Sequence, residues 1–371
     1  MIIRIAGEGK FDIVSPITIH IIEGDITALE ADLKSGFEVN KKLKLDPENL
    51  KLSPENSDIF TSLPLTLALK LNQFASIKWL VERGAKIDAD KENPDFLSAV
   101  RYCGKEVARY IAENGADIHA QNRVKSDAYC EALYGKKFDN LPLIEELGHS
   151  VKKYGGKAFR QAVIDRQNRV LDFFIKNGVD INYNKPDQVY PFKPTPLCVA
   201  ARYVDIKMVK YLVENGADVT IAENDGMRPY SIAVERGDNE MAEYLKALEP
   251  PEFHNLQNKL LELKSYKLPR SLLDFLQGEN LRLELASSKW TKYVDFFALI
   301  DVVEMKIGRQ KLLRISRELD NFELTIVWNP KKKCVSCYDP EHKELTDIAP
   351  FEEFIKNAAV YMDKVINGDP I

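Results

Sequence analysis

A short phrase recurs along the first two thirds of this 371-residue chain and constrains its fold more than any other feature. Glu113-Asn114-Gly115-Ala116-Asp117-Ile118 is echoed by Lys176-Asn177-Gly178-Val179-Asp180-Ile181 and by Glu214-Asn215-Gly216-Ala217-Asp218-Val219. Looser copies stand at Ser35-Gly36-Phe37-Glu38-Val39, Arg83-Gly84-Ala85-Lys86-Ile87 and Leu147-Gly148-His149-Ser150-Val151. A period of roughly thirty-three residues implies one supersecondary unit, stacked on its own copies because a single unit cannot bury its apolar face. Such a stack offers a long binding surface and seldom an active site.

Each unit has the same parts in order. A Pro-containing start opens a first helix, as in Leu63-Pro64-Leu65-Thr66-Leu67-Ala68; Pro is tolerated there because its missing N–H has no partner in a first turn anyway. A second helix follows, with apolar residues at helical spacing (Val170, Phe173, Phe174, Ile175; Ile206, Val209, Leu212, Val213). It stops at Gly, which accepts the left-handed backbone of a helix end. Ala68, Ala99, Ala132, Ala162, Ala200 and Ala233 recur in phase, small enough for helices to approach closely, with His20 in the equivalent place of the first copy. Thr195-Pro196-Leu197-Cys198-Val199-Ala200 nearly repeats the signature of ankyrin repeats. Residues 1–249 resemble that family, which implies an all-α solenoid of about seven units. The last unit ends in Asp238-Asn239-Glu240 and a charged helix, and reads as a polar cap. Lys41–Ser62 and Tyr183–Pro194 are insertions, expected as loops on the binding face. In the weak fourth unit, Asp139 is expected to cap a helix whose first turn holds Pro142.

Composition excludes several classes. A net charge of −5 gives the chain as a whole no polyanion-binding character, so no nucleic-acid partner is expected. No apolar run reaches the roughly 18 residues of a membrane span. The segment Met1–Gly9 reads as too short and too polar for a signal peptide. Five scattered cysteines, an odd number, argue against a disulfide scaffold and for a reducing, cytoplasmic setting. A monomer is expected.

Pro250-Pro251 ends the repeats, and residues 250–371 change character. Leu256–Leu263 and Pro269–Gln277 read as helices. Leu281–Leu285, Leu312–Ile315, Leu324–Trp328 and Cys334–Tyr338 read as strands. Asn329-Pro330-Lys331-Lys332 makes a hairpin of the last two, and Phe351–Ile366 is a closing helix. This order predicts an α+β domain of ordinary size with a mostly antiparallel sheet. Four phrases resemble the SUKH superfamily, named for fungal cell-wall synthesis regulators and bacterial toxin-immunity proteins: Leu268-Pro269 opening a helix that ends Phe275-Leu276; Phe296-Phe297-Ala298-Leu299-Ile300-Asp301-Val302; Tyr338-Asp339-Pro340-Glu341; and Ile348-Ala349-Pro350-Phe351-Glu352-Glu353-Phe354-Ile355. Two steps depart from the pattern: Gly278-Glu279-Asn280-Leu281 replaces an Asn-Gly-Gly step, and Leu319-Asp320-Asn321-Phe322-Glu323 lacks the usual Gly.

Candidate chemistry is sparse. Cys334-Val335-Ser336-Cys337, with Asp339 and His342, has no second cysteine knuckle to complete a zinc site, and Val-Ser suits a strand that sends the two thiols to opposite faces. Gly155-Gly156-Lys157 lacks the rest of a phosphate-binding loop. Lys331-Lys332-Lys333 reads as a solvated hairpin tip. The five histidines show no pairing at catalytic spacing, and no motif of a nucleophile or a metalloprotease is present. No enzyme activity, cofactor or metal is therefore expected. In ankyrin stacks the two residues after the Ala-Ala position face the concave side. Here they include Arg101, Tyr102, Tyr134, Arg202 and Tyr203, and the long finger adds Tyr190 and Phe192. Arg and Tyr are enriched at interface hot spots; the alternative is that these side chains cover neighbouring repeats. The two resemblances together imply that this chain binds a protein partner, as a cytoplasmic immunity protein that holds a cognate toxin domain and neutralises it. An intracellular adaptor joining two proteins is the second expectation.

Overall fold

The computed structural model describes residues 2–5, 9–13, 15–47 and 61–371. Residues 48–60 of the Lys41–Ser62 insertion, and residues 1, 6–8 and 14 of the N-terminal segment, lie outside the described residues. The chain forms two compact units, Met1–Asp180 and Ile181–Ile371.

The first unit opens with strands, where the sequence predicted helix alone. β1 (Ile2–Ile5) and β2 (Gly9–Asp12) form an antiparallel hairpin. After α1 (Pro16–Glu23) and α2 (Ile26–Lys34), β3 (Leu43–Lys44) pairs with β5 (Thr61–Ser62), and β4 (Asp46–Pro47) pairs with β2. Ile3, Ile5, Phe11 and Ile13 alternate along the hairpin and bury one face against Leu45 and Leu67. The hairpin thus covers the apolar end of the stack, the task of a capping unit.

Helix pairs follow: α3 (Pro64–Lys70) with α4 (Phe74–Glu82), and α5 (Asp95–Tyr102) with α6 (Lys105–Glu113). Next come α7 (Ala128–Tyr134) with α8 (Leu141–Glu146), the short α9 (Val151–Tyr154), and α10 (Gly156–Ile164) with α11 (Asn168–Lys176). All six landmark alanines, Ala68 to Ala233, have no exposed surface. The recurring Asn-Gly has a physical reason. Asn114 donates its side-chain amide to the Tyr110 carbonyl at 2.8 Å, and Asn177 does the same to Phe173. The glycines that follow sit at φ +98° and +77°, so each step satisfies an orphan helix carbonyl and turns the chain. Successive fingers are tied by one carboxylate or amide apiece: Lys86 N–H donates to Asn40 Oδ1, and Asp117 N–H to Asp88 Oδ2. In the fourth unit Pro142 does lie in the first turn, but Asp139 is not the cap. Asn140 holds that position and instead donates to the carbonyls of Val100 and Cys103 in the preceding unit.

The second unit begins with α12 (Pro196–Tyr203), capped by Thr195, then α13 (Ile206–Glu214), α14 (Pro229–Glu235) and α15 (Asn239–Lys246). Asn215 repeats the amide-to-carbonyl bond, to Tyr211 at 2.8 Å. Then come α16 (Leu256–Leu263), α17 (Arg270–Leu276), eight strands and α18 (Phe351–Asn367). The strands are β6 (Arg282–Glu284), β7 (Tyr293–Phe296), β8 (Val303–Ile307), β9 (Gln310–Arg314), β10 (Ser316–Leu319), β11 (Thr325–Asn329), β12 (Cys334–Asp339) and β13 (Glu344–Ala349). They form a three-stranded sheet, β10-β7-β6, and a five-stranded one, β13-β12-β11-β9-β8, with antiparallel pairs throughout. β7, β8, β10 and β13 were not predicted. Trp328 is buried and donates to the Tyr266 carbonyl at 2.9 Å, while Phe351, Phe354, Ala358 and Met362 make the buried face of α18. In the Gly-free step Leu319–Glu323, Asn321 takes φ +63° and closes the Leu319–Phe322 turn. Asn is one of the few side chains that tolerates this conformation.

The last repeat is covered by the C-terminal region. Gly226 lies so close to β8 that a Cβ there would stand 2.1 Å from the Glu304 carbonyl oxygen. Tyr230 donates its hydroxyl to Asp301 at 2.8 Å, and Lys259 reaches the Val302 carbonyl at 2.8 Å. Residues on both sides of the expected 249/250 boundary therefore share one compact unit.

Candidate protein-interaction surface

Arg101 and Tyr102 end α5, and Tyr134 ends α7, so consecutive units bring them together. Arg101 donates to Glu131 Oε2 at 2.8 Å, and Asn122 holds the other oxygen of that carboxylate at 2.9 Å. The guanidinium lies 5.3 Å from the Tyr102 ring centre and 5.9 Å from that of Tyr134, within cation–π range. Gly135 permits this approach, because a Cβ there would meet the Arg101 carbonyl oxygen at 1.9 Å. Tyr134 remains 49% exposed.

Arg202 repeats the device at the end of α12. It donates to Glu223 at 2.8 Å and to Glu235 at 2.8 Å, and Arg314 of β9 shares Glu235. Burial pushes the Glu223 carboxyl above its ordinary range, opposed chiefly by Arg202. Both arginines therefore join neighbouring helices, while Tyr203 stays 53% exposed. In the long finger Tyr190 is buried at 8% exposure, its N–H held by Asp187 and its ring edge-on to Phe192 at 6.0 Å. Phe192 is half-buried. The exposed large apolar side chain of this finger is Val189, at 62%.

Two features of the first unit were not expected. A groove of about 970 Å³ runs between α4, α6 and α8, lined by Phe74, Tyr110, Phe138 and Pro142 with Lys78, Arg109 and Glu146 among its charged residues. Phe74 meets Tyr110 edge-on at 5.6 Å, Lys78 stands 4.1 Å above the Phe74 ring centre, and Arg109 pairs with Glu146. Second, His119 and His149, 30 residues apart, bring their Nδ1 atoms to 3.0 Å. His149 is buried and stacks on Tyr154 at 4.2 Å, and burial, then His119, pushes it down to about 4. Their approach follows from the unit period, which places equivalent finger positions side by side. Among the described residues no group of three or more His, Cys, Asp or Glu is placed to hold a metal.

Cys334 and Cys337 lie on β12 as expected. Both are buried: Cys334 shares a face with Ser336 and Asp347, and burial pushes the Cys337 thiol up to about 12. Lys157, in the first turn of α10, donates to the Lys125 carbonyl at 3.1 Å, a link from that helix to the preceding finger. Among the described residues no helix is long and apolar enough to cross a membrane.

Residues 159–255 match the family model for ankyrin repeats, in three copies. Among curated proteins the chain is similar to alpha-latrocrustotoxin-Lt1a of Latrodectus tredecimguttatus, 29% identical over 154 residues, covering 40% of this chain and 10% of that protein. It is also similar to transient receptor potential cation channel subfamily A member 1 of Homo sapiens, 24% identical over 196 residues, covering 50% and 17%. A putative ankyrin repeat protein of Rickettsia bellii is 29% identical over 144 residues, covering 36% of this chain and 85% of that one. The matched regions thus span only 10% and 17% of the first two relatives. Among solved structures, the human ASB11 ankyrin repeat domain matches with a TM-score of 0.47 and 18% identity, covering 64% of this chain and 99% of that one. A chain from the complex of the Bd0816 predatory endopeptidase of Bdellovibrio bacteriovorus with immunity protein Bd3460 matches at 0.42 and 19%, covering 50% and 97%. The chain carries ankyrin repeats, modules of protein–protein interaction, followed by a sheet-rich C-terminal region.

Proposed function

We propose that this protein binds another protein through the tyrosines at the ends of its first helices, and that the partner is a toxin domain which it neutralises as an immunity protein. The observation that carries the binding reading is the half-exposed Tyr134 beside an arginine that is already fixed by Glu131. Rigid, amphipathic aromatics make strong anchors because little side-chain entropy is lost when they are covered. The immunity reading rests on the resemblance of residues 252–367 to the SUKH superfamily, a warrant by analogy. The division into a repeat module, 1–249, and a SUKH-like α+β module, 250–371, belongs to the same proposal.

The test is capture from extracts of the source organism with the full chain as bait, followed by assay of what is recovered. A single domain recovered in near-equal amount, whose toxicity the chain abolishes, is the expected result. Tyr102→Ala with Tyr134→Ala, and separately Tyr203→Ala, should weaken capture by about 2 kcal/mol or more for a central anchor with unfolding unchanged. Recovery of housekeeping complexes alone would favour the second reading, an adaptor with two partners. The groove between α4, α6 and α8 supports that second reading by offering a further surface.

A further inference from the structure

The five-stranded sheet ends in an unusual concentration of positive charge. β8 and β9 are joined by the two-residue tip Gly308-Arg309, and β11 and β12 by residues 330–333. β9 lies beside β11, with Val327 opposite Arg314 and Trp328 opposite Leu313. Continuing that register puts Lys332 level with Arg309. The two tips therefore stand side by side, two strand spacings or roughly 10 Å apart. Between them they carry Lys306, Arg309, Lys311, Lys331, Lys332 and Lys333, all exposed.

Lys306 is moreover directly opposite Lys311 in the hairpin. Like charges in that position destabilise a strand pair, so folding alone does not favour the arrangement. The nearby carboxylates are engaged elsewhere. Asp347 accepts from Asn329 and Ser336, and Glu304 accepts from the Tyr266 hydroxyl, whose pKa is raised by burial and then by that carboxylate. The opposite end of the sheet, at the β12–β13 turn, is mixed, with Asp339, Glu341 and Glu344 beside His342 and Lys343.

We propose that the paired tips dock an acidic protein segment, a run of Asp and Glu carboxylates long enough to reach across both. The site rests on the reading of this chain as a protein-binding protein and adds to it a second surface, selected by charge. A protein segment fits better than the other polyanions. The chain is −5 overall despite this cluster, so a long nucleic acid would meet repulsion wherever it extended past the tips. Trp328, next to the end of β11, is buried, and stacking on exposed aromatics is what holds unpaired bases. The apolar Ile307 packs onto Met305, Leu312 and Val327 rather than standing free to enter a lipid surface.

The probe is a fluorescein-labelled polyglutamate peptide, titrated with the full chain and read by fluorescence anisotropy. Binding should be seen at low salt and weaken as salt screens it. Lys331→Gln/Lys332→Gln/Lys333→Gln, at exposed turn positions, should weaken it by about tenfold or more. Lys306→Glu gives a second, opposed readout: it should raise the melting temperature by removing the like-charge pair, yet weaken the peptide. No peptide binding by the wild type, or equal binding by the variants, overturns the proposal. So does tighter binding of a DNA duplex, or of phosphatidylserine vesicles, under the same conditions. Because polyglutamate needs no cellular partner, failure here is separable from failure of the tyrosine variants to lose their captured protein.

Discussion

Arg202→Ala is expected to destabilise the second unit strongly, although its place after the Ala-Ala position suggests an exposed contact residue. Its removal leaves the Glu223 side chain, which has no exposed surface, without the guanidinium that bonds it at 2.8 Å. Glu235 fares better, since Arg314 still pairs with it. Breaking one partner out of a buried pair costs about 3–5 kcal/mol. Arg202 keeps 19% exposure, so water enters where it stood, and the lower end, about 3 kcal/mol, applies. For a unit of this size that is a fall in melting temperature of about 6–12 °C.

The pH dependence gives the effect a signature. Burial holds the Glu223 carboxyl above its ordinary value, and without Arg202 that tendency is less opposed. An acid whose folded pKa is raised loses stability as pH climbs above its unfolded value of about 4.5. The deficit of Arg202→Ala should therefore be small in mild acid and widen toward neutral pH. Urea and thermal unfolding of the full chain, followed by circular dichroism, measure it. Arg202→Met combined with Glu223→Gln should recover most of the loss, because no charge is then left unpaired. If Arg202→Ala melts within a degree of the parent at neutral pH while partner capture falls, the ion pair is not what holds this arginine.

Three further outcomes are expected. His149 sits neutral in its stack, pushed down to about 4 by burial and then by His119, with Lys153 also opposing its charge and Asp117 favouring it. Stability should thus decline as pH falls from about 6.5 toward 4, by about 3 kcal/mol in all, and His149→Phe should flatten that slope in urea unfolding. Gly226→Ala places a methyl against the Glu304 carbonyl at a positive φ and should cost about 2 kcal/mol or more, speeding hydrogen exchange in β8; Gly216→Ala, with open space around it, reports the backbone strain alone. Ending the chain at Glu249 should give an aggregating fragment, because Tyr230 and the backbone at Gly226 lose the contacts that cover them. A soluble monomeric fragment would instead mean that the seventh repeat caps itself, as its polar helix suggests from sequence.

The repeats were legible because their period imposes the same physical demands again and again. An Asn that bonds back to the helix, a Gly that turns left-handed and an Ala that has no exposed surface each leave a residue in phase. What lay outside the period was harder to read. The N-terminal hairpin is written in four alternating residues, Ile3, Ile5, Phe11 and Ile13, too few to separate from the start of a helical repeat. In the C-terminal region the predicted strands were apolar runs, such as Leu324–Trp328. β13, Glu344–Ala349, escaped because it has only one buried residue, Ala349, and an exposed edge strand needs little apolar character.

The candidate site shows a finer limit. Arg-Tyr at the end of a first helix looks like a hot spot, yet both arginines are held by a glutamate one unit later: Glu131 lies 30 residues after Arg101, and Glu235 lies 33 after Arg202. Those separations are one repeat each, so an Arg matched by a Glu one period on is a signal of stacking that the sequence does contain. Tying down the arginine does not remove the tyrosine from consideration. Tyr134 and Tyr203 remain about half exposed beside a guanidinium that no longer needs ordering. A partner that covers such a ring meets a surface already fixed in place, and fixing a surface beforehand is what turns contact area into affinity.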